Sequence, residues 1–114
     1  MDHAVASERR AYPRVRYARG ILPPAARVHP ARDVILVDLS RGGALVEGVW
    51  RFRPGATVTL HVQHGPGVLQ VRGDVERCSV HALERGGSVR YRAAIRFETP
   101  MASDPPGDAL YAGA

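Results

Sequence analysis

Apolar residues in this chain recur with a period of two, and that constrains its fold more than any other feature. The clearest case runs near the end: Val89, Tyr91, Ala93, Ile95 and Phe97 point one way, and Arg90, Arg92, Ala94 and Arg96 the other. Val58, Leu60 and Val62 alternate with Thr57, Thr59, His61 and Gln63; Leu69, Val71, Gly73 and Val75 alternate with Gln70, Arg72, Asp74 and Glu76. Successive side chains of a strand face opposite sides of a sheet, so this pattern predicts half-buried strands. No segment sustains a 3.6-residue period, and helix is expected to be scarce.

Turn signals separate the strands: His29-Pro30-Ala31-Arg32-Asp33, Arg53-Pro54-Gly55, His64-Gly65-Pro66-Gly67 and Arg85-Gly86-Gly87-Ser88. Val34-Ile35-Leu36-Val37 and Ala44-Leu45-Val46-Glu47 read as two further strands, and Ala25-Ala26-Arg27-Val28-His29 as a weaker one. About six antiparallel strands joined by short turns predict an all-β fold closed into a small barrel, since closure removes exposed sheet edges. The segment from Cys78 to Gly87 is longer than a plain hairpin needs. The expected organisation is an N-terminal arm over residues 1–24, a barrel over 25–99 and a flexible tail over 100–114.

A chain of 114 residues supports one core, which excludes a catalytic cleft between domains. None of its apolar runs approaches the roughly 18 residues of a membrane span. Its start, Met1 to Glu8, lacks the basic-then-apolar pattern of a secretory signal. A soluble, cytoplasmic protein is expected, in keeping with a single cysteine, Cys78, read as an ordinary strand residue. The net charge is +5, and all 16 basic residues are arginine. Guanidinium forks suit phosphate and the guanine O6/N7 edge, so an anionic partner is expected: nucleotide, nucleic acid or an acidic protein surface.

Two motifs carry candidate chemistry. In Arg10-Ala11-Tyr12-Pro13-Arg14 the proline disfavours helix, and in extended chain the even spacing puts both guanidinium groups on one side, about 13 Å apart along the backbone. In Asp38-Leu39-Ser40-Arg41-Gly42-Gly43, at a strand end, alternation puts Asp38 and Ser40 on one face with Leu39 turned inward. Asp38 can accept hydrogen bonds from the N1 and N2 donors of guanine, Ser40 can donate to phosphate or base, and Gly42 and Gly43 allow a tight turn with bare backbone near a ligand. Taken singly, the first is also what a solvated tail looks like and the second what an ordinary Asx or Ser turn looks like.

In this order, with a small β-barrel around the second motif, the pair resembles the PilZ domain family of cyclic di-GMP receptors. The resemblance covers roughly residues 8 to 98, including the closing Ala94-Ile95-Arg96-Phe97. It implies that Arg10 and Arg14 contact guanine and phosphate while Asp38, Ser40 and Gly43 line the base-binding surface, and that Arg9 influences whether one or two stacked nucleotides are held. The implied ligand-binding set is Arg9, Arg10, Arg14, Asp38, Ser40, Gly42 and Gly43, with the arm ordering over cyclic di-GMP and an effector protein sensing the change. Ala94 stands where the family commonly has glycine, and on the outer face its methyl could obstruct the ligand.

No catalytic constellation or cofactor is expected. His61, His64 and His81 lack metal-site spacing, and Trp50 and Phe52 read as packing over a barrel end. Two alternatives remain: a basic barrel binding single-stranded nucleic acid through Arg90, Arg92 and Arg96, although aromatics alternating with those arginines are missing, and a PilZ-like protein-interaction module that does not use nucleotide. The chain is expected to be a monomer or weak dimer.

Overall fold

The structure is a computed structural model describing residues 14–16, 25–29, 32–64 and 67–102. The described residues form strands and connections without helix: β1 (Val15–Arg16), β2 (Ala25–His29), β3 (Arg32–Leu39), β4 (Gly43–Gly48), β5 (Thr57–His64), β6 (Gly67–Leu83) and β7 (Val89–Phe97). They make one sheet in the order β1-β3-β2-β5-β6-β7-β4, and pairing of β3 with β4 closes it. The result is the expected six-stranded antiparallel barrel. β1 lies outside the ring, in line with β2 along the same edge of β3: Val15 and Arg16 pair with Leu39 and Asp38, while β2 pairs with the earlier part of that strand.

The predicted alternation builds the core. Val28, Leu36, Leu39, Val46, Leu60, Val75 and Ile95 are fully buried inside the barrel. Deep burial of branched aliphatic side chains contributes roughly 1.5–3 kcal/mol each, and this set accounts for the drive to close. Ala93 and Phe97 join it from β7, while the partly buried Phe52 and Cys78 pack against it. Gly73 is dictated by close approach, because a Cβ there would meet the Arg96 carbonyl oxygen at 2.5 Å.

Two bulges adjust the phase. Leu36 pairs with Val46 but Asp38 with Leu45, leaving Val37 as an extra residue. Strict alternation from Leu36 would turn Asp38 into the core; the bulge sends Leu39 inward and Asp38 outward. Likewise Val75 pairs with Ile95 and Arg77 with Ala94, so the extra Glu76 turns Arg77 outward. A further shift between Val80 and Ala82 leaves His81 as an extra residue in the same strand.

Two elements differ from the sequence expectation. β1 forms within the arm, with Val15 buried and its neighbours Arg14 and Arg16 exposed. Strand β6 runs 17 residues, through Cys78 to Leu83, where a long connection was read. Those residues are polar on one side and twice out of phase, which hides a strand from a period-two search.

Candidate functional site

Asp38-Leu39-Ser40-Arg41-Gly42-Gly43 forms the β3–β4 hairpin. Its turn is closed by the Ser40 amide donating to the Gly43 carbonyl at 2.8 Å. The Ser40 hydroxyl is part of the turn as well: it donates to the Gly43 carbonyl at 3.4 Å and accepts from the Gly42 amide at 3.3 Å. Neither glycine takes the left-handed backbone that occurs at Gly55, Gly86 and Gly87, so the tightness of the turn comes from these hydrogen bonds instead. The loop is also tied to the end of β7 and to the chain beyond it. Phe97 donates to the Gly42 carbonyl at 3.0 Å, Met101 to the Arg41 carbonyl at 2.8 Å, and the Arg41 Nε returns a bond to the Met101 carbonyl at 2.7 Å. A loop held at this many points is a fixed platform.

Asp38 and Ser40 are 6% and 2% exposed, the two buried polar residues among those described, beside an apolar core. Buried carboxylates are retained where they have partners. One partner comes from the arm: Arg14 Nη1 lies 3.7 Å from Asp38 Oδ2, with the guanidinium side chain 38% exposed and the carboxylate side chain 9%. Arg16, the strand partner of Asp38, shares its outer face. Arg14 of the first motif and Asp38 of the second, separate in sequence, thus meet on one surface. Arg9 and Arg10 lie outside the described residues.

The cross-strand pairings extend this surface into a row. Arg16 pairs with Asp38, Asp38 with Leu45, Leu45 with Ala94 and Ala94 with Arg77. Paired residues project on the same side, so the row carries a cation at each end, with Asp38 beside Arg16. Ala94 faces outward as expected but is buried, its short methyl lying below the longer Leu45 and Arg77 beside it. A separate shallow groove of about 370 Å³, lined by Arg27, His29, Asp33, His61 and Gln63 among others, contains none of the motif residues.

The model of the PilZ domain matches residues 8–105. The chain belongs to the PilZ domain family. Among solved structures it is similar to the PilZ domain with c-di-GMP of YcgR from Escherichia coli, with a TM-score of 0.55 at 20% sequence identity over 76% of each chain. That likeness concerns the fold. A comparison with curated protein sequences finds no match.

Beside the motif row, this PilZ barrel carries an ionic cluster that period-two reading did not resolve. Glu47 on β4 accepts from Arg92 Nε at 3.1 Å, and its carboxylate lies 3.9 Å from Arg90 Nη1 and 3.5 Å from His81 Nε2. Arg90 also donates to Glu84, a bond that is the chief cause holding its guanidinium above the usual range, with Glu84 and Glu47 charge adding to it. Two of the three outward arginines of the nucleic-acid alternative are therefore matched by carboxylates of the same chain. The row's end members Arg16 and Arg77 were also missed; the alternation Arg14-Val15-Arg16 was the available signal for the first, while a bulge concealed the second. Trp50 departs from simple packing: it is 38% exposed, with the Arg32 guanidinium 3.9 Å above its ring.

Proposed function

We propose that this PilZ domain is a cyclic di-GMP receptor whose site is the outer face of the β3–β4 hairpin closed over by the arm. The observation that carries the reading is the approach of Arg14 to Asp38, because it joins the arginine motif to the Asp-x-Ser-x-x-Gly motif on one surface. In this reading Asp38 accepts from the guanine N1 and N2 donors. Arg10 and Arg14 take guanine edges and phosphate oxygens by forked hydrogen bonds, and Arg9 reaches a second nucleotide. Ser40, Gly42 and Gly43 supply the rigid platform beneath the base. Arg16 and Arg77 add positive charge at the two ends of the row. Each charge-assisted hydrogen bond contributes about 1.5–3 kcal/mol net, so a few of them support micromolar affinity after the arm is ordered.

The relay follows from the arm. The arm over residues 1–24 closes on the ligand against the fixed barrel over 25–99, and Met101, just beyond the barrel, fastens Arg41 of the platform. An arm drawn onto the ligand changes the surface offered to an effector protein in the cytoplasm, without catalysis. Isothermal titration with cyclic di-GMP tests the reading: saturable binding at micromolar ligand that is lost in Arg10→Ala and Asp38→Ala is expected, and no heat at tens of micromolar ligand would sink it.

A further inference from the structure

Past Arg77 the β6–β7 hairpin extends beyond the barrel in a way the nucleotide site does not use. β5 pairs with β6 only as far as Asp74, and Val75 is still covered by bonds from and to Gly55 and Ala56. From Arg77 to Leu83 the β6 backbone pairs with β7 on one side, and among the described residues no strand pairs with the other. The bulge at His81 keeps Cys78, Val80 and Leu83 on the inward-phase side, opposite Ala93, Tyr91 and Val89. Beyond the barrel that side has nothing to cover: Val80 is 58% and Leu83 77% exposed. A two-stranded ribbon with an open apolar side and an open edge is a template for another strand.

We propose that this edge pairs with the same edge of a second copy of the chain, antiparallel and about a two-fold axis. Charge selects this occupant. The open stretch begins at Arg77 and ends beside Glu84, with Cys78, Ser79, Val80, His81, Ala82 and Leu83 between them. Antiparallel self-pairing sets Arg77 of each copy against Glu84 of the other, whereas parallel pairing would set like charges together. The same register puts Cys78 against Leu83 and Ser79 against Ala82, and in each pair both members lie on the same face of the ribbon because the bulge restores the phase. A two-fold axis makes the contact self-complementary and closed, so it yields a dimer rather than a filament. The nucleotide row meets this contact only at its end member Arg77; Asp38, Leu45 and Ala94 lie on strands the contact does not include.

Sedimentation velocity of the full chain over a hundredfold range of concentration tests the association. A reversible dimer is expected, with Val80→Glu/Leu83→Glu weakening it at least tenfold while the melting curve still shows a folded barrel. Cysteine cross-linking tests the register. Wild-type Cys78 residues would lie about 17 Å apart in the dimer, so mild oxidation with diamide leaves the wild type uncoupled. Leu83→Cys should give a covalent dimer through Cys78 of the other copy, and Cys78→Ser/Leu83→Cys should not. A chain that is monomeric at all concentrations, or a Leu83→Cys protein that couples no better than its Cys78→Ser derivative, overturns the proposal.

Discussion

Arg14 Nη1 stands 3.7 Å from Asp38 Oδ2, so an exposed cation of the arm meets the nearly buried acid of the barrel directly. In the proposed function, a guanine that takes both groups must enter between them or share them. The pair keeps a short stretch of arm near its working position, which lowers the ordering cost of binding.

Removing either partner should separate binding from folding. Arg14→Ala is expected to cost at most about 1 kcal/mol of stability, as for other part-exposed ion pairs, and to weaken cyclic di-GMP binding at least tenfold. Asp38→Asn keeps the shape and removes the charge, and should weaken binding by a similar factor. Paired thermal melts and titrations measure both effects.

Gly73 and Gly48 make a matched test of packing. A methyl at Gly73 would press on the Arg96 carbonyl, which β-sheet bonding holds in place, whereas at Gly48 the nearest atom is 3.5 Å away, an ordinary contact. Gly73→Ala should destabilise by about 1–3 kcal/mol and Gly48→Ala by less than about 1 kcal/mol. Denaturant unfolding of the two variants checks the contrast.

Glu47 gathers Arg92, Arg90 and His81. Glu47→Gln leaves the two arginines less balanced on an already basic surface, and it should raise salt-sensitive retention of single-stranded DNA in a gel-shift titration several-fold over the wild type. Equal retention would mean that Glu47 does not mask this face.

Arg41 fastens the hairpin to Met101. Arg41→Ala should speed amide exchange at Arg41 to Gly43 and at Met101, with strands β5 and β6 unchanged. Under the proposed function it also weakens nucleotide binding modestly, since the platform rather than a direct contact is lost.

The barrel was legible in the sequence because half-buried strands write their two faces into alternate residues, as Val89 to Phe97 do. Where the alternation stops, the reading stopped too. Cys78 to Leu83 forms strand without a barrel beneath it, so no buried face marks it, and Glu76 and His81 each shift its phase. For the site, the hairpin bearing Asp38 and Ser40 was visible as a strand end followed by two glycines. Its hydrogen-bonding was not, because Met101 and Phe97 are distant in sequence from the loop they hold. Glu47 was read as an ordinary strand residue for the same reason: its partners lie on β6 and β7. Arg14 against Asp38 was expected only through the family resemblance, and β1 supplies the local cause, with Val15 buried and the arginines beside it turned out.

Val37 contributes no charge, no hydrogen-bonding side chain and no place in the deep core, yet it decides which of Asp38 and Leu39 faces out of the barrel. Deleting it would exchange inside for outside at the one acid of the motif, while every chemically active residue stayed in the sequence. Mutational libraries of this region should therefore hold its length fixed before they vary its letters, and a related chain one residue shorter here would have lost the site with its motif still readable.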